Sequence, residues 1–433
     1  MKNLIEKLAL LPVIVNLFDG NTNKTTDTTA TTGNDLSGEM KTFYSDYLID
    51  MAEPELVHDQ FGQKHPIPKN GGKQIEFRKY DPLPKALTPL SEGVTPNGQK
   101  LNMGVITATV QQYGGFIELS DILLLTAIDN NLMQATKLLG SQAGRTLDTI
   151  TREVLNGGTN VQYAECQVDA RYKLVGGDAT PANNHYLTVD AVRRAVRYLK
   201  VMNAPKINGY YAGIVHPDCS YDLMSDPKWV NVKTYSDPDG IYEGEIGRIE
   251  GVRFVETSEA KVFTAPDLTE TDGSDEGKRT LTVASVSTKT ITIDEKLTSD
   301  QAAGLAGRKI IIAGVLYTVA SAAAGAAGSA TITINETPGA GVADNAVIYP
   351  GEAGAAGRAV YSTLILGADA YGVTEIAGGG LQHIVKQLGS AGTADPLNQR
   401  SSAGWKATKV AERLVEPYMV RVETASTFES DAT

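Results

Sequence analysis

Between Gly62 and Ser120 the chain carries two period-2 stretches parted by a proline-rich tip, and few architectures can use such a sequence. Lys73-Gln-Ile-Glu-Phe-Arg-Lys-Tyr80 places Ile75 and Phe77 on one face and Glu76 and Arg78 on the other. Gly104 to Leu119 reads as the returning arm, with Ile106, Ala108 and Val110 on one face and Val105, Thr107, Thr109 and Tyr113 on the other. The tip between them holds Pro82, Pro84, Pro89, Pro96 and Gly98. Alternation broken by turn residues predicts an extended antiparallel hairpin. An arm of about 8 residues spans roughly 26 Å, and a lone two-stranded ribbon is marginal in water unless something covers it. Lys73, Glu76, Phe77, Arg78, Lys79, Tyr80 and Tyr113 are therefore the candidate contact residues.

A long helix follows. Leu132, Ala135, Leu139, Ala143, Leu147, Ile150 and Val154 recur at steps of three and four, the stripe of an amphipathic helix. Asp129 or Asn130 is placed to cap its start, and Asn156-Gly157-Gly158 predicts a left-handed stop. From Asn131 to Leu155 such a helix runs roughly 37 Å at about 1.5 Å per residue. A ribbon feeding a long helix points to assembly rather than catalysis.

With 433 residues the chain holds two or three domains. The net charge of −12 argues against tight phosphate binding, which needs clustered cations, although a container need not grip what it encloses. Cys166 and Cys219 read as reduced, buried thiols. The apolar run Leu8 to Phe18 follows Glu6 and Lys7 and lacks a small-residue cleavage site. It reads as a docking arm rather than a signal peptide, and it is too short to span a bilayer.

Further along, Asn21 to Gly33 is Thr-rich and reads as a linker or arm, and Ser37 to Val57 has helical spacing. Leu187 to Val201 predicts a helix capped by Thr188, with Val192, Ala195, Val196 and Leu199 inward. Gly209 to His216 reads as a buried strand, and Pro217-Asp218 opens a short helix. Composition shifts near Ala265: to about Ala356 the chain is rich in Ala, Gly and Thr, patterned as short strands. Thr282-Val-Ala-Ser285 recurs as Thr318-Val-Ala-Ser321, and Thr290-Ile-Thr-Ile-Asp294 as Thr331-Ile-Thr-Ile-Asn335. Either an internal duplication or the shared composition of exposed strands accounts for the copies. The earlier character resumes on both flanks, as it does around a domain inserted into a loop.

Groups for chemistry are sparse. Gly140-Ser-Gln-Ala-Gly-Arg-Thr146 has the wrong spacing for a phosphate loop, lacks its Lys and lies inside the helical stripe. His58, His65, His185, His216 and His383 are scattered and have no cysteine partners at ligand spacing. Asp237-Pro-Asp239 and Asp272 to Glu276 read as solvated acidic loops. No catalytic, cofactor-binding or metal-ligating residue is assigned, and no cofactor is expected.

Several segments together resemble the major capsid proteins of tailed bacteriophages with the Hong Kong 97-like fold, in the branch of the coliphage N-four type. They begin with Glu53-Pro-Glu-Leu-Val-His-Asp-Gln-Phe-Gly62, Pro68-Lys-Asn-Gly-Gly-Lys-Gln-Ile-Glu-Phe-Arg78, Ala127-Ile-Asp-Asn130 and Gly144-Arg-Thr-Leu-Asp148. They continue with Glu243-Gly-Glu-Ile-Gly-Arg-Ile-Glu-Gly-Val-Arg-Phe-Val-Glu256, Leu366-Gly-Ala-Asp-Ala-Tyr-Gly372 and Gly404-Trp-Lys406. No one of these is specific; their order along the chain is.

The resemblance implies an α+β capsid fold. Residues 1–36 would form an N-terminal arm, 37–61 the start of a peripheral domain, and 62–120 an extended hairpin loop lying over a neighbour. Residues 121–186 would supply the spine helix and more of the peripheral domain, and 187–264 the first part of an axial domain. An inserted small β domain would occupy 265–356, and 357–433 would return through both domains to the C-terminal segment. It further implies a virion shell of hexamers and pentamers of this chain, assembled in the host bacterial cytoplasm around double-stranded DNA without sequence-specific binding. There is room for a separate scaffold, a portal and decoration proteins as partners, and none for a membrane. The alternative from another class is a secreted surface-layer or adhesive protein.

Overall fold

The computed structural model describes residues 22–23, 57–80, 83, 85–87, 89, 92–93, 98–126, 131–176, 184–229, 247–269, 278–376, 380–386 and 397–428. The predicted helix over 37–57, the caps at Asp129 and Asn130, the apolar N-terminal run and both acidic loops lie outside them, Val57 excepted. The chain divides into two compact units, the first made of 1–56, 64–150 and 373–411, the second of 57–63, 151–372 and 412–433.

In the first unit, strands β3 (Gln74–Tyr80) and β4 (Met103–Thr109) form an antiparallel ribbon. The returning arm breaks at Val110, and β5 (Gln111–Ser120) instead pairs antiparallel with β20 (Arg400–Arg413). This corrects the expectation that Gly104 to Leu119 is one ribbon arm. Gly114 and Gly404 explain the switch, because a Cβ at either would lie 2.7 or 2.8 Å from the strand opposite. The sheet runs β1 (Thr22–Asn23), β5, β20, β18 (Tyr371–Thr374), β2 (Gln63–Lys64), with β19 (Gln382–Lys386) also on β20. Thr22 and Asn23, expected in a linker, thus extend the sheet parallel to Glu118 and Leu119.

Helices α1 (Asp121–Thr126) and α2 (Asn131–Asn156) follow β5. Ala135, Leu139 and Ala143 of α2 are buried as the stripe predicts, and Leu139 and Ala143 pack with Ala403, Trp405 and Ala407 of β20. Farther along, the buried face drifts to Asp148, Thr151 and Leu155 instead of Ile150 and Val154. Thr151 Oγ1 donates to Asp59 at 2.5 Å, a partner no helical period reveals. The helix end also differs from expectation. Neither Gly157 nor Gly158 has a positive φ, but a Cβ on them would meet Arg413 Nη1 at 2.7 Å and Glu416 Oε1 at 2.6 Å. The glycines leave room for these two side chains, and Arg413 Nη1 donates at 2.7 Å to the Val154 carbonyl, which also accepts from Gly157 N at 3.2 Å.

The second unit is built on a seven-stranded sheet. Its order is β6 (Val161–Tyr163), β21 (Met419–Thr424), β17 (Val360–Leu366), β7 (Tyr211–Val215), β9 (Val252–Glu256), β8 (Arg248–Ile249), with β10 (Val262–Phe263) also on β17. Helix α3 (Val189–Val201) starts where predicted: Thr188 Oγ1 accepts from Ala191 N at 3.2 Å, and Val192, Ala195, Val196 and Leu199 are buried. Strand β7 is buried at every residue. His216 ends it and caps α4 (Pro217–Ser225), its Nδ1 accepting from Asp218 N at 3.3 Å. Cys219 is buried, and burial pushes its thiol well above the ordinary value. Cys166, expected buried, is exposed because it sits in a tight turn at φ 63°.

Within this unit the predicted β segment is a closed six-stranded barrel. Its strands are β11 (Leu281–Ser287), β12 (Thr290–Ile293), β13 (Lys309–Ile312), β14 (Val315–Ala323), β15 (Ala330–Ile334) and β16 (Val347–Pro350), with α5 (Ser299–Leu305) between β12 and β13. The barrel order is β11-β12-β15-β14-β13-β16. The repeated hairpins match in detail. Each is bulged after the same valine, between Val283 and Ser285 and between Val319 and Ser321. Asp294 N donates to Thr282 O at 3.0 Å, and Asn335 N to Thr318 O at 2.9 Å. Glu295 accepts from Thr282 N at 2.9 Å, and Glu336 from Thr318 N at 2.8 Å. The copies meet with Ile291 paired to its own counterpart, Ile332. The likeness of the two copies thus extends from sequence to bulge position and strand register.

The chain leaves the sheet for the barrel after Phe263 and re-enters it at Val360, and these two residues are paired neighbours. Close by, Glu423 has no exposure. It accepts two hydrogen bonds from Arg171, each at 2.7 Å, and Arg421 Nε lies 2.8 Å from it. Arg421 in turn donates to the Asn156 carbonyl at the end of α2. Removing the carboxylate leaves the buried Arg421 guanidinium and the partly buried one of Arg171 uncompensated, which costs about 3–5 kcal/mol. Glu423→Ala should therefore lower the urea midpoint sharply. Lys173→Ala, which breaks only the exposed Lys173–Asp169 pair, should leave it almost unmoved.

Candidate subunit interface

The ribbon's register fixes its faces. Ile75 opposes Ala108 and Phe77 opposes Ile106, while Glu76 and Arg78 oppose Thr107 and Val105. Its base is covered by its own chain: Ala108 and Val110 are buried, and Val110 N donates to Lys73 O at 2.8 Å. Ile75 and Phe77 are only half-buried, and the His65 ring stands edge-on to Phe77 at 6.0 Å between centroids. Toward the tip exposure rises, with Leu83, Leu87 and Leu101 all more than half exposed.

Lys73 is exposed. Arg78 and Glu76 form a loose pair at 3.8 Å, both more than half in solvent. Such pairs are worth about 0–1 kcal/mol, so they can set register but hold little together. The backbone of Lys79 and Tyr80 pairs with Gly104 and Met103, and their side chains are outside the described residues. Tyr113 is not part of the constellation. It lies on β5, half-buried against the cluster of Leu139, Ala143 and Trp405, because the ribbon ends at Val110.

The sequence reading missed a second exposed apolar feature. Across three strands of the sheet Phe116, Gly404 and Ile384 fall in one row. Phe116 is 71% exposed and Ile384 39%, and between them Gly404 has no side chain. Lys406 lies beside this row, and Glu118 and Lys386 flank it on the other side. The signal was the run Gly114-Gly115-Phe116, whose meaning depends on the strand opposite. Among the described residues no three His, Cys, Asp or Glu side chains gather to hold a metal. No described helix is long and apolar enough to cross a membrane.

The sequence profile of the family described as phage capsid protein matches residues 129–387. The chain belongs to that family. Its role is accordingly structural, as a major capsid protein of a bacteriophage, and its place is the capsid of the virion. No curated protein matches the sequence. Among solved structures, this capsid protein is similar to the capsid of cyanophage P-SCSP1u at 11% identity, covering 92% of this chain and 97% of the other, with a TM-score of 0.50. For the capsid of Ralstonia phage GP4 the values are 12% identity, 93% and 99% coverage, and a TM-score of 0.50. The cyanophage Pam1 capsid asymmetric unit gives 13%, 84% and 89%, and 0.51. At such identities the likeness is one of fold.

The glycine row carries its own test. A Cβ at residue 404 would stand 2.8 Å from Phe116 Cβ and 3.0 Å from Gly115 O. Overpacking of this kind costs typically about 1–3 kcal/mol. Gly404→Val should lower the thermal midpoint, and Phe116→Gly in the same chain, which removes the clashing Cβ, should recover part of the loss.

Proposed function

We propose that this capsid protein is the shell-forming subunit of a Hong Kong 97-like capsid, assembling through hexamers and pentamers around a double-stranded DNA genome. The observation that carries the reading is the ribbon, whose apolar residues are covered at its base, partly covered at Phe77 and exposed toward the tip at Leu83, Leu87 and Leu101. An arm of that kind is completed by a neighbouring copy. In this reading the ribbon is the extended loop, α2 the spine of a peripheral domain, and 187–264 with the segment after 357 the axial domain. Residues 1–36 form the N-terminal arm. Lys73, Glu76, Phe77, Arg78, Lys79 and Tyr80 make the contact, and Tyr113 is withdrawn from it. Assembly takes place in the host cytoplasm, with a separate scaffold, a portal and decoration proteins as further partners. No observation favours the surface-layer alternative. Negative-stain imaging of the expressed protein should show shells, tubes or capsomers; dispersed monomers at every concentration and salt would sink the reading.

Burying an apolar side chain such as Phe77 contributes about 1.5–3 kcal/mol when complete, and Phe77 is already half-buried. The partner's share is thus at most about a third of that figure, comparable with what a rim charge supplies. Phe77→Ala should weaken assembly at least as much as Arg78→Ala, and it should also lower monomer melting modestly through the packing lost within its own chain. If it instead unfolds the monomer, Phe77 belongs to the subunit's own core.

The barrel at 265–356 stands on the shell exterior as an autonomous domain in this reading, since its two ends leave from paired residues Phe263 and Val360. Replacing it with a short Gly-Ser turn should leave particle formation intact. A soluble, folded excision variant that never forms particles would place the barrel in the lattice instead.

A further inference from the structure

The outer face of α3 concentrates positive charge in a chain that is acidic overall. Arg193, Arg194, Arg197 and Lys200 are all exposed there. Arg193 is held by Asp190 at 3.0 Å and by Glu250, in the turn between β8 and β9, at 2.9 Å. Arg197 and Lys200 make no ion pair among the described residues. With Arg193, Val196, Val201 and Glu250 they line an open bowl of about 380 Å³. Val196 is buried in its floor, Val201 is 59% exposed, and the rim is cationic.

That combination selects its partner. A phosphate polymer would satisfy the guanidinium groups and gain nothing from Val201. An acidic peptide with apolar residues between its carboxylates satisfies both. The chain contains such a segment shortly before β8, Asp237-Pro-Asp-Gly-Ile-Tyr-Glu-Gly-Glu245, with acids on either side of Ile241 and Tyr242. It belongs to the stretch 230–246 between Trp229 and Gly247, which out and back reaches on the order of 25 Å at about 3.3 Å per residue.

We propose that the cationic bowl on α3 of one copy receives the acidic segment 237–245 of the next copy around a symmetry axis of the capsid. This rests on the reading of the chain as a ring-forming shell subunit. The contact joins two different patches, so it can repeat from copy to copy and forms a ring when its rotation closes. Its exposed charges are screened by salt, which makes ring formation sensitive to ionic strength.

Charge reversal tests it. Arg197→Glu with Lys200→Glu reverses the rim without touching a buried side chain, and Asp237→Lys with Glu243→Lys reverses the segment. Each reversed protein alone should lose most of its capsomers in negative stain and sedimentation, with an unchanged thermal midpoint. Mixing the two should restore six-membered rings, in which the forms alternate. The proposal is overturned if the rim-reversed protein assembles as wild type does, or if neither mixing nor combining the reversals restores rings. Recovery only when both reversals share one chain overturns it too, by placing the contact within a subunit. Normal particles that fail to retain DNA would make phosphate the partner. Wild-type protein that forms no rings under any condition would fail the shell reading itself, so the two failures are separable.

Discussion

Glu423, with no exposure, is the charge around which the second unit is organised. Two guanidinium groups share it, Arg171 through paired hydrogen bonds and Arg421 from two residues away on β21. One carboxylate does not balance two cations. The remainder is met by the end of α2, where the Asn156 carbonyl accepts from Arg421 and the helix dipole supplies partial negative charge. Burial lowers the Arg421 pKa, and the Glu423 charge opposes that shift. Arg171 also lies 3.5 Å over the Phe263 ring, at the point where the chain departs for the barrel. The helix terminus, the central strand and the barrel neck are thus tied to one buried charge. Such a cluster is costly to desolvate and strict about geometry, so it acts more as a specifier of position than as a source of stability.

The sequence made some elements legible and hid others for identifiable reasons. Strand β7, α3 with its Thr188 cap, and the Pro217 helix are set by local chemistry, and each forms where periodicity and capping place it. Errors fall where a distant residue decides. The second arm of the ribbon looked continuous because alternation persists past Val110, but Gly114 and Gly404 let β5 approach β20 more closely than side chains would permit. The glycines after α2 looked like a left-handed stop and are instead clearance for Arg413 and Glu416. The inner face of α2 drifts to include Thr151, whose hydroxyl donates to the Asp59 carboxylate. Of the candidate contact residues, those on β3 lie where alternation places them, whereas Tyr113 followed β5 into the sheet.

The barrel shows how a repeat too short to recognise with assurance becomes clear in three dimensions. Two hairpins of about the same sequence each supply a bulge, and a bulge increases local twist. Six short strands cannot close without strong twist and tilt. Placing a bulge at equivalent positions in both halves distributes that curvature evenly, and it gives a physical reason why Thr-Val-Ala-Ser is the part of the repeat that stayed recognisable. The neck at Phe263 and Val360 then needs only one pair of adjacent strands in the host sheet.

The groups that this capsid protein leaves open are spread over separate places: the ribbon beyond its base, the Phe116–Ile384 row and the rim of α3. In a shell of many copies each such contact can stay below the roughly 1,200–2,000 Å² that a stable two-body interface buries. In the proposed shell that modesty is functional. A subunit that bound its neighbour tightly through a single patch would fix the first angle it met, right or wrong. Several weak, chemically different contacts hold only when all are satisfied together, and the errors dissociate. The apolar contacts supply most of the free energy, and the charged rims, at about 0–1 kcal/mol each, discriminate register. Stability of the closed particle then comes from the number of copies, while each contact stays weak enough for a subunit to be repositioned.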